Sequence, residues 1–226
     1  DTYNISWGID DTGNLYNTNN IKYFANLFKL GNKAELVTGD GGFDFSNSYE
    51  NQEMAAVRLI FAEVVTGFNI LADNGSMVIK IFDIYHAATI DIIFILSYYF
   101  EEVFIVKPFT SRSANSEKYL VCKKFKGITP EDLESYMNIL DDYNIIEEQN
   151  KYVTRFLDND IPEDFYKVIQ SNNIYHISKQ IKSLLKGLTL SKVKLCNNDI
   201  NSIKEELSDI KDMMRQLLGR TSDDGR

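Results

Sequence analysis

The sequence predicts an α/β protein built on a mainly parallel sheet, and three observations carry that expectation. Short apolar runs of strand length alternate with longer segments whose apolar residues recur at helical spacing. The first strand-to-helix junction contains Gly39, Gly41 and Gly42, which permit close approach of backbone to a ligand. Only the last two strands are joined too briefly for a crossover, so that pair is expected to be antiparallel. At 226 residues and 44% apolar, the chain has material for one ordinary domain and an appendage.

Taken in order, residues 1–19 read as loop from their Asn, Asp, Gly and Thr content. The spacing predicts a helix over Asn20–Leu30, with Asn19 or Asn20 as cap and Gly31 past its end. Ala34–Thr38 is a short apolar strand, and Asn51–Phe68 a helix with a broad apolar face. Ser76–Phe82 is the second strand, introduced by the turn residues Asp73, Asn74 and Gly75, and His86–Tyr99 is the next helix. Val103–Val106 is the third strand and ends at Pro108; Tyr119–Lys123 is the fourth. From Thr129 the character changes, with Thr129 capping a helix that has Pro130 at its first position and runs to Tyr143. A strand-like run, KYVTRFL at 151–157, leads to one or two helices over Glu163–Leu185.

The last segment carries Ile200, Ile203, Leu207, Ile210, Met214 and Leu217 at alternating spacings of 3 and 4, a heptad seam. It suits either docking on its own domain or association with a second copy or a partner. The expected organisation is a sheet domain over 1–127, a helical extension packed on it over 128–190, a heptad helix over 191–220 and a disordered tail over 221–226.

Composition narrows the class. The formal net charge of −9 argues against a nonspecific nucleic-acid binder, because phosphate contacts supply most of that affinity. Charge is uneven, however: Lys107, Arg112, Lys118, Lys123, Lys124 and Lys126 face only Glu117 within one stretch. That stretch is either a solvated strand face or a local phosphate-contacting strip. Two cysteines fit a reducing compartment and imply no metal centre, and no apolar run reaches the roughly 20 residues that cross a bilayer. A soluble, cytoplasmic or nuclear protein is expected, with no membrane partner.

Three side chains stand out chemically. Asp40 follows the first strand and is either a helix cap or a site carboxylate. Lys80 sits inside the apolar strand VIKIF; it either snorkels to the surface or is held by a carboxylate. Glu117, at the start of the fourth strand, reads alone as a loop charge or as a third site member. His86 and His176 are assigned no chemistry.

TGDGGFD at 38–44, GSMVIKIFD at 75–83 and KPFTSRSANSEKYLVCKKFK at 107–126 resemble, in order, segments of FtsJ-like ribose 2′-O-methyltransferases. The similarity is closest to the eukaryotic and viral enzymes of the cap-specific mRNA type. It implies a Rossmann-like, S-adenosylmethionine-dependent methyltransferase sheet, of which 1–127 would be the carboxyl-terminal half. It also implies that Asp40, Lys80 and Glu117 are three members of a Lys-Asp-Lys-Glu tetrad, Lys80 steering the ribose hydroxyl or accepting its proton. Asp40 and Glu117 would both orient Lys80. The same resemblance puts Asp40, Gly41, Asp10, Asp11 and Asn14 on the cofactor, and Lys107, Ser111, Arg112 and Asn115 on RNA, the substrate being capped mRNA.

The family's G-x-x-P-G-G-F loop, its first tetrad Lys and its first three strands have no counterpart in these residues. The expectation is that a further half, on the same or another chain, completes the site, and that 1–226 alone transfers no methyl group. The strand AELVT is then expected to be an apolar edge. The Asn, Ile, Tyr and Lys bias points to an AT-rich genome, such as that of a large DNA virus working in a cytoplasmic factory or of a protist. A noncatalytic RNA-binding or scaffold subunit of a capping complex is the alternative.

Overall fold

The computed structural model describes residues 3–28, 33–42, 52–148, 153–190, 204–206 and 208. The element order is α1 (Thr18–Asn26), β1 (Ala34–Gly39), α2 (Gln52–Ile70), β2 (Leu71–Ile81), α3 (Ala87–Tyr99), β3 (Phe100–Val106), β4 (Lys118–Phe125), α4 (Pro130–Glu148) and α5 (Glu163–Leu190). Two compact units arise, Asp1–Asn173 and Ile174–Arg226, and the sheet lies wholly in the first. The second unit is described over the rest of α5 and over residues 204–206 and 208, which are helical and exposed. The predicted heptad helix over 191–220 and the tail over 221–226 otherwise fall outside the described residues.

The four strands are ordered β1-β2-β4-β3. β1 and β2 pair in parallel, whereas β4 pairs antiparallel with both neighbours. The expected antiparallel hairpin of β3 and β4 is present; in addition, β4 inserts between β2 and β3 and thereby joins the site strand directly. One sheet face is the core. Met77, Ile79 and Ile81 of β2 and Leu120 and Cys122 of β4 are buried there against α2 and α3, with Phe61, Phe68 and Leu96. Aromatic rings pack within it, the Phe68 ring stacking on Phe125 at 5.7 Å between centroids and lying tilted to Tyr99 at 5.0 Å. The opposite face carries the half-buried Val78, Lys80, Tyr119 and Val121, so alternation along each strand delivers Lys80 and Tyr119 away from the core. β1 is one edge of this sheet and Leu36 on it is 58% exposed, as expected for AELVT.

Several boundaries move for identifiable reasons. α1 starts at Thr18 because Asn17, rather than Asn19 or Asn20, supplies the cap, its side chain accepting from Asn19 N–H. Asp73, Asn74 and Gly75 are not a turn before β2 but a detour within it. The register steps from Ala34↔Leu71 to Leu36↔Ser76, and Asn74 takes up the excess at φ 62°, a conformation Asn tolerates. The segment KYVTRFL is no strand over its described part: Phe156 and Leu157 donate their N–H groups to the fully buried Asp91, which also pairs with Arg155 at 2.8 Å. α3 is capped from outside, since Glu53 of α2 accepts from Tyr85 N–H, His86 N–H and Thr89 Oγ1. Thr129 caps α4 as expected, accepting from Asp132 N–H at 3.1 Å. Among the described residues no helix is long and apolar enough to cross a membrane.

Candidate active site

Parallel pairing of β1 and β2 places Gly39 beside Ile79, so the next residue of each strand, Asp40 and Lys80, emerges at the same carboxyl end. β4 runs the other way and starts at that end with Lys80 opposite Tyr119, which brings Glu117 to the same rim. Three sequence-distant residues therefore converge through strand direction alone.

Lys80 Nζ lies 2.9 Å from Asp40 Oδ1 and donates to the Asp40 carbonyl at 3.1 Å. The lysine side chain is 16% exposed and that of Asp40 is 69% exposed, so the pair opens to solvent on the carboxylate side. The turn must stay slim to allow this. A Cβ on Gly42 would stand 3.3 Å from Lys80 Nζ. Beneath the turn lies Glu63 of α2, which accepts from Gly41 N–H at 2.8 Å. A Cβ on Gly41 would meet this carboxylate at 2.6 Å and one on Gly39 at 2.8 Å, so a side chain at either position would displace Glu63 from the turn. Burial raises the Glu63 carboxyl above its ordinary value; the Gly41 N–H and the Lys80 charge oppose the shift, and the Asp40 charge adds to it.

Glu117 differs from the sequence expectation. Among the described residues it forms no ion pair with Lys80; its Oε1 accepts from Ser111 Oγ at 3.2 Å and from the Tyr119 hydroxyl at 3.3 Å. The reason is register: Tyr119 occupies the position opposite Lys80, and Glu117 precedes the strand. Burial, with the Glu117 and Asp40 charges, pushes the Tyr119 hydroxyl up.

The 107–118 loop is clamped by two lysines. Lys107 Nζ donates to Asn115 O at 2.8 Å, Asn115 Oδ1 at 2.7 Å and Glu117 O at 2.8 Å. Lys118, buried to 3% exposure, donates to Ser116 O at 2.8 Å, Phe82 O at 3.0 Å and Asp83 Oδ1 at 3.2 Å. Burial lowers the pKa of both; each lysine's charge is set against carboxylates nearby, Glu117 for Lys107 and Asp83 for Lys118. Ser111 and Asn115 belong to this clamp, while Arg112 is exposed and, among the described residues, forms no ion pair.

The 8–14 loop is organised from within. Asp10 accepts from Thr12 N–H, Thr12 Oγ1, Asn17 Nδ2 and Asn20 Nδ2, and these bonds, led by Thr12, lower its pKa. Asn14 Oδ1 accepts from Tyr16 N–H. Asp11 is exposed at φ 59°. The loop faces a cavity of about 470 Å³, lined among others by Gly8, Gly13, Leu15, Gly39, Asp40 and Glu63. Neither Asp10 nor Asn14 lines it; their bonds shape the wall that does.

Glu63 and Tyr119 are the site residues that sequence reasoning missed. A carboxylate within the apolar helical run IFAEVV was a usable signal for the first. Tyr119 sits two positions from Glu117, on the strand face that the pleat shares with it.

The fold and this rim define an α/β protein with a polar site at the carboxyl ends of its strands, where such sheets bind ligands. A family model described as FtsJ-like methyltransferase matches residues 7–125, more than half of the chain. The chain belongs to the FtsJ-like methyltransferase family. It is 29% identical over 181 residues to cap-specific mRNA (nucleoside-2′-O-)-methyltransferase 1 of Dictyostelium discoideum, covering 78% of this chain and 24% of that one. The Trypanosoma brucei brucei protein of the same name is 34% identical over 155 residues, 68% of this chain and 38% of its own. A probable methyltransferase of African swine fever virus is 29% identical over 207 residues, 86% of this chain and 47% of its own. The chain thus spans less than half the length of these relatives.

Proposed function

We propose that this chain carries the catalytic lysine of an RNA ribose 2′-O-methyltransferase that uses S-adenosylmethionine and acts on the cap-proximal nucleotide of mRNA. One observation carries the reading: three lysines meet at one end of the sheet with unequal saturation. An ammonium has three N–H donors. Among the described residues Lys107 and Lys118 each have three acceptors in place, whereas Lys80 has two, both from Asp40. One N–H of Lys80 is left for a substrate oxygen.

In this mechanism Asp40 holds Lys80 as an ammonium, and the third N–H of Lys80 receives the ribose 2′-oxygen and aligns it for attack. An ammonium has no lone pair, so in this form Lys80 steers the oxygen and stabilises charge on it, while the hydroxyl proton leaves to solvent. Glu63 fixes the turn that carries Asp40. Glu117 acts through Tyr119 and Ser111 as a positioning residue at the substrate rim, and Lys107 and Asn115 hold that rim in place. The cavity is of a size that takes adenosyl-scale ligands, and Gly39 and Asp40 line it. We assign the cofactor to it, with Gly41 and Asp40 at its edge, Asp10 and Asn14 shaping its wall, and Asp11 beside it. S-adenosylmethionine held there would supply the electrophilic methyl group for the ribose oxygen, with its thioether as the leaving group. The names of the cellular relatives support the cap-proximal substrate.

The test uses the complete polypeptide, labelled S-adenosylmethionine and capped RNA, with the product digested to nucleosides. A labelled 2′-O-methylnucleoside is expected. Label on a base, or RNA binding with neither cofactor binding nor transfer, overturns the reading, the latter in favour of a scaffold role.

A further inference from the structure

Phe109 is fully exposed, although it lies on a loop that is otherwise tightly tied. The chain turns sharply there, Ser111 N–H bonding to Pro108 O at 3.0 Å, so Phe109 and Thr110 form the tip. A second turn follows at once, Asn115 N–H bonding to Arg112 O at 3.2 Å. The base of both turns is fastened by the Lys107 ammonium and by Ser111 Oγ on Glu117. The ring is therefore a rigidly mounted aromatic in water, two residues along the chain from a side chain bonded to Glu117. The guanidinium of Arg112, exposed and without an ion pair among the described residues, rides on the same loop.

Isolated exposed apolar residues are common and need no explanation. Here the ring shares its mount with an unneutralised cation at the rim of the site. A nucleotide has the matching pair of features, a π-face that stacks on an aromatic ring and an anionic phosphate that suits a guanidinium.

We propose that Phe109 is a stacking platform for an unpaired nucleobase of the RNA substrate, with Arg112 taking a phosphate of the same strand. This rests on the RNA reading above and adds to it the requirement for a single-stranded, unstacked base at the site rim. Stacking is indifferent to base identity, so Phe109 fixes where a base lies and not which base it is. A duplex, whose bases are already stacked, gains nothing from the ring.

The test compares binding of a short single-stranded RNA and of an abasic ribose-phosphate oligomer of equal length, on the complete polypeptide and its variants. Phe109→Ala is expected to weaken RNA binding by about 5- to 150-fold and to leave abasic binding unchanged. Phe109→Trp restores the RNA affinity. Arg112→Ala weakens both ligands together and reduces the salt dependence. Exposure at Phe109 means that its variants keep the wild-type melting temperature, which is checked first. Equal RNA affinity of wild type and Phe109→Ala overturns the platform while the RNA reading stands. Equal weakening of RNA and abasic binding also overturns it. If no form of the protein binds RNA, the RNA reading itself falls and the platform with it.

Discussion

Lys80 and Lys118 are one strand apart and face opposite demands. Lys118 is buried to 3% exposure and its three donors are matched by Ser116 O, Phe82 O and Asp83. Lys80 is also set into the sheet, yet among the described residues its partners are two oxygens of one residue, and that residue is open to solvent. The difference separates a lysine that holds structure from one that is available to a ligand. A saturated ammonium cannot accept a new partner without breaking an old one, while an unsaturated one is ready for an oxygen that arrives from outside. Removing Lys118 should therefore damage folding and removing Lys80 should damage chemistry.

The largest effect expected is on transfer. Lys80→Ala should lower methyl transfer by about 10²- to 10³-fold, the range for a preorganised donor that stabilises a developing charge, with the melting temperature little changed because Asp40 remains hydrated. Lys80→Arg should not restore activity, since a planar fork cannot keep both Asp40 oxygens and offer the same donor. Lys118→Met should do the reverse. It leaves Phe82 O, Ser116 O and Asp83 without their donor and should cost about 1–3 kcal/mol in thermal or denaturant unfolding. Ser111→Ala removes one hydrogen bond to Glu117 and should cost about 0.5–1.5 kcal/mol in unfolding, without the transfer loss expected at Lys80.

The smallest effect sharpens the role of Glu63. Its folded-state pKa is raised, so the folded protein binds that proton more tightly than the unfolded chain does. The stability contributed by the proton is fully present below the ordinary value of 4.5 and is lost as pH rises through the folded value. Glu63→Gln keeps an acceptor for Gly41 N–H and removes the titration. The stability of wild type relative to the variant should therefore fall as pH rises from about 4.5 in paired melting curves. A difference that stays constant with pH would remove the ionisable role and leave only the hydrogen bond.

Much of this was legible in the sequence, because the strands carry strong local patterns. Asp40 after AELVT and Lys80 within VIKIF follow from strand ends alone, and their proximity follows from parallel pairing. Glu117 was placed at the right rim but against the wrong neighbour. Its partners depend on β4 inserting between β2 and β3 in a particular register, a long-range pairing that no local window encodes. The same limit hid the outside cap from Glu53 and the buried Asp91, whose partners lie 64 to 66 residues away. Asp73, Asn74 and Gly75 misled because a strand bulge and a turn call for the same residue types. Asn20 looked like a cap. Its side chain instead accepts from Ile9 N–H and binds Asp10, holding together the loop over the cavity.

Among the described residues Lys80 is the one of the three site lysines with a donor to spare. This distinction is tested most directly by measuring transfer from labelled S-adenosylmethionine to the 2′-oxygen of capped RNA with Lys80→Ala and Lys118→Met side by side. Both are assayed at a temperature where each is shown to be folded. Lys118→Met should retain transfer within a few-fold of wild type while Lys80→Ala loses at least about 100-fold. Transfer that survives in Lys80→Ala, or is lost equally in both folded variants, would contradict the distinction.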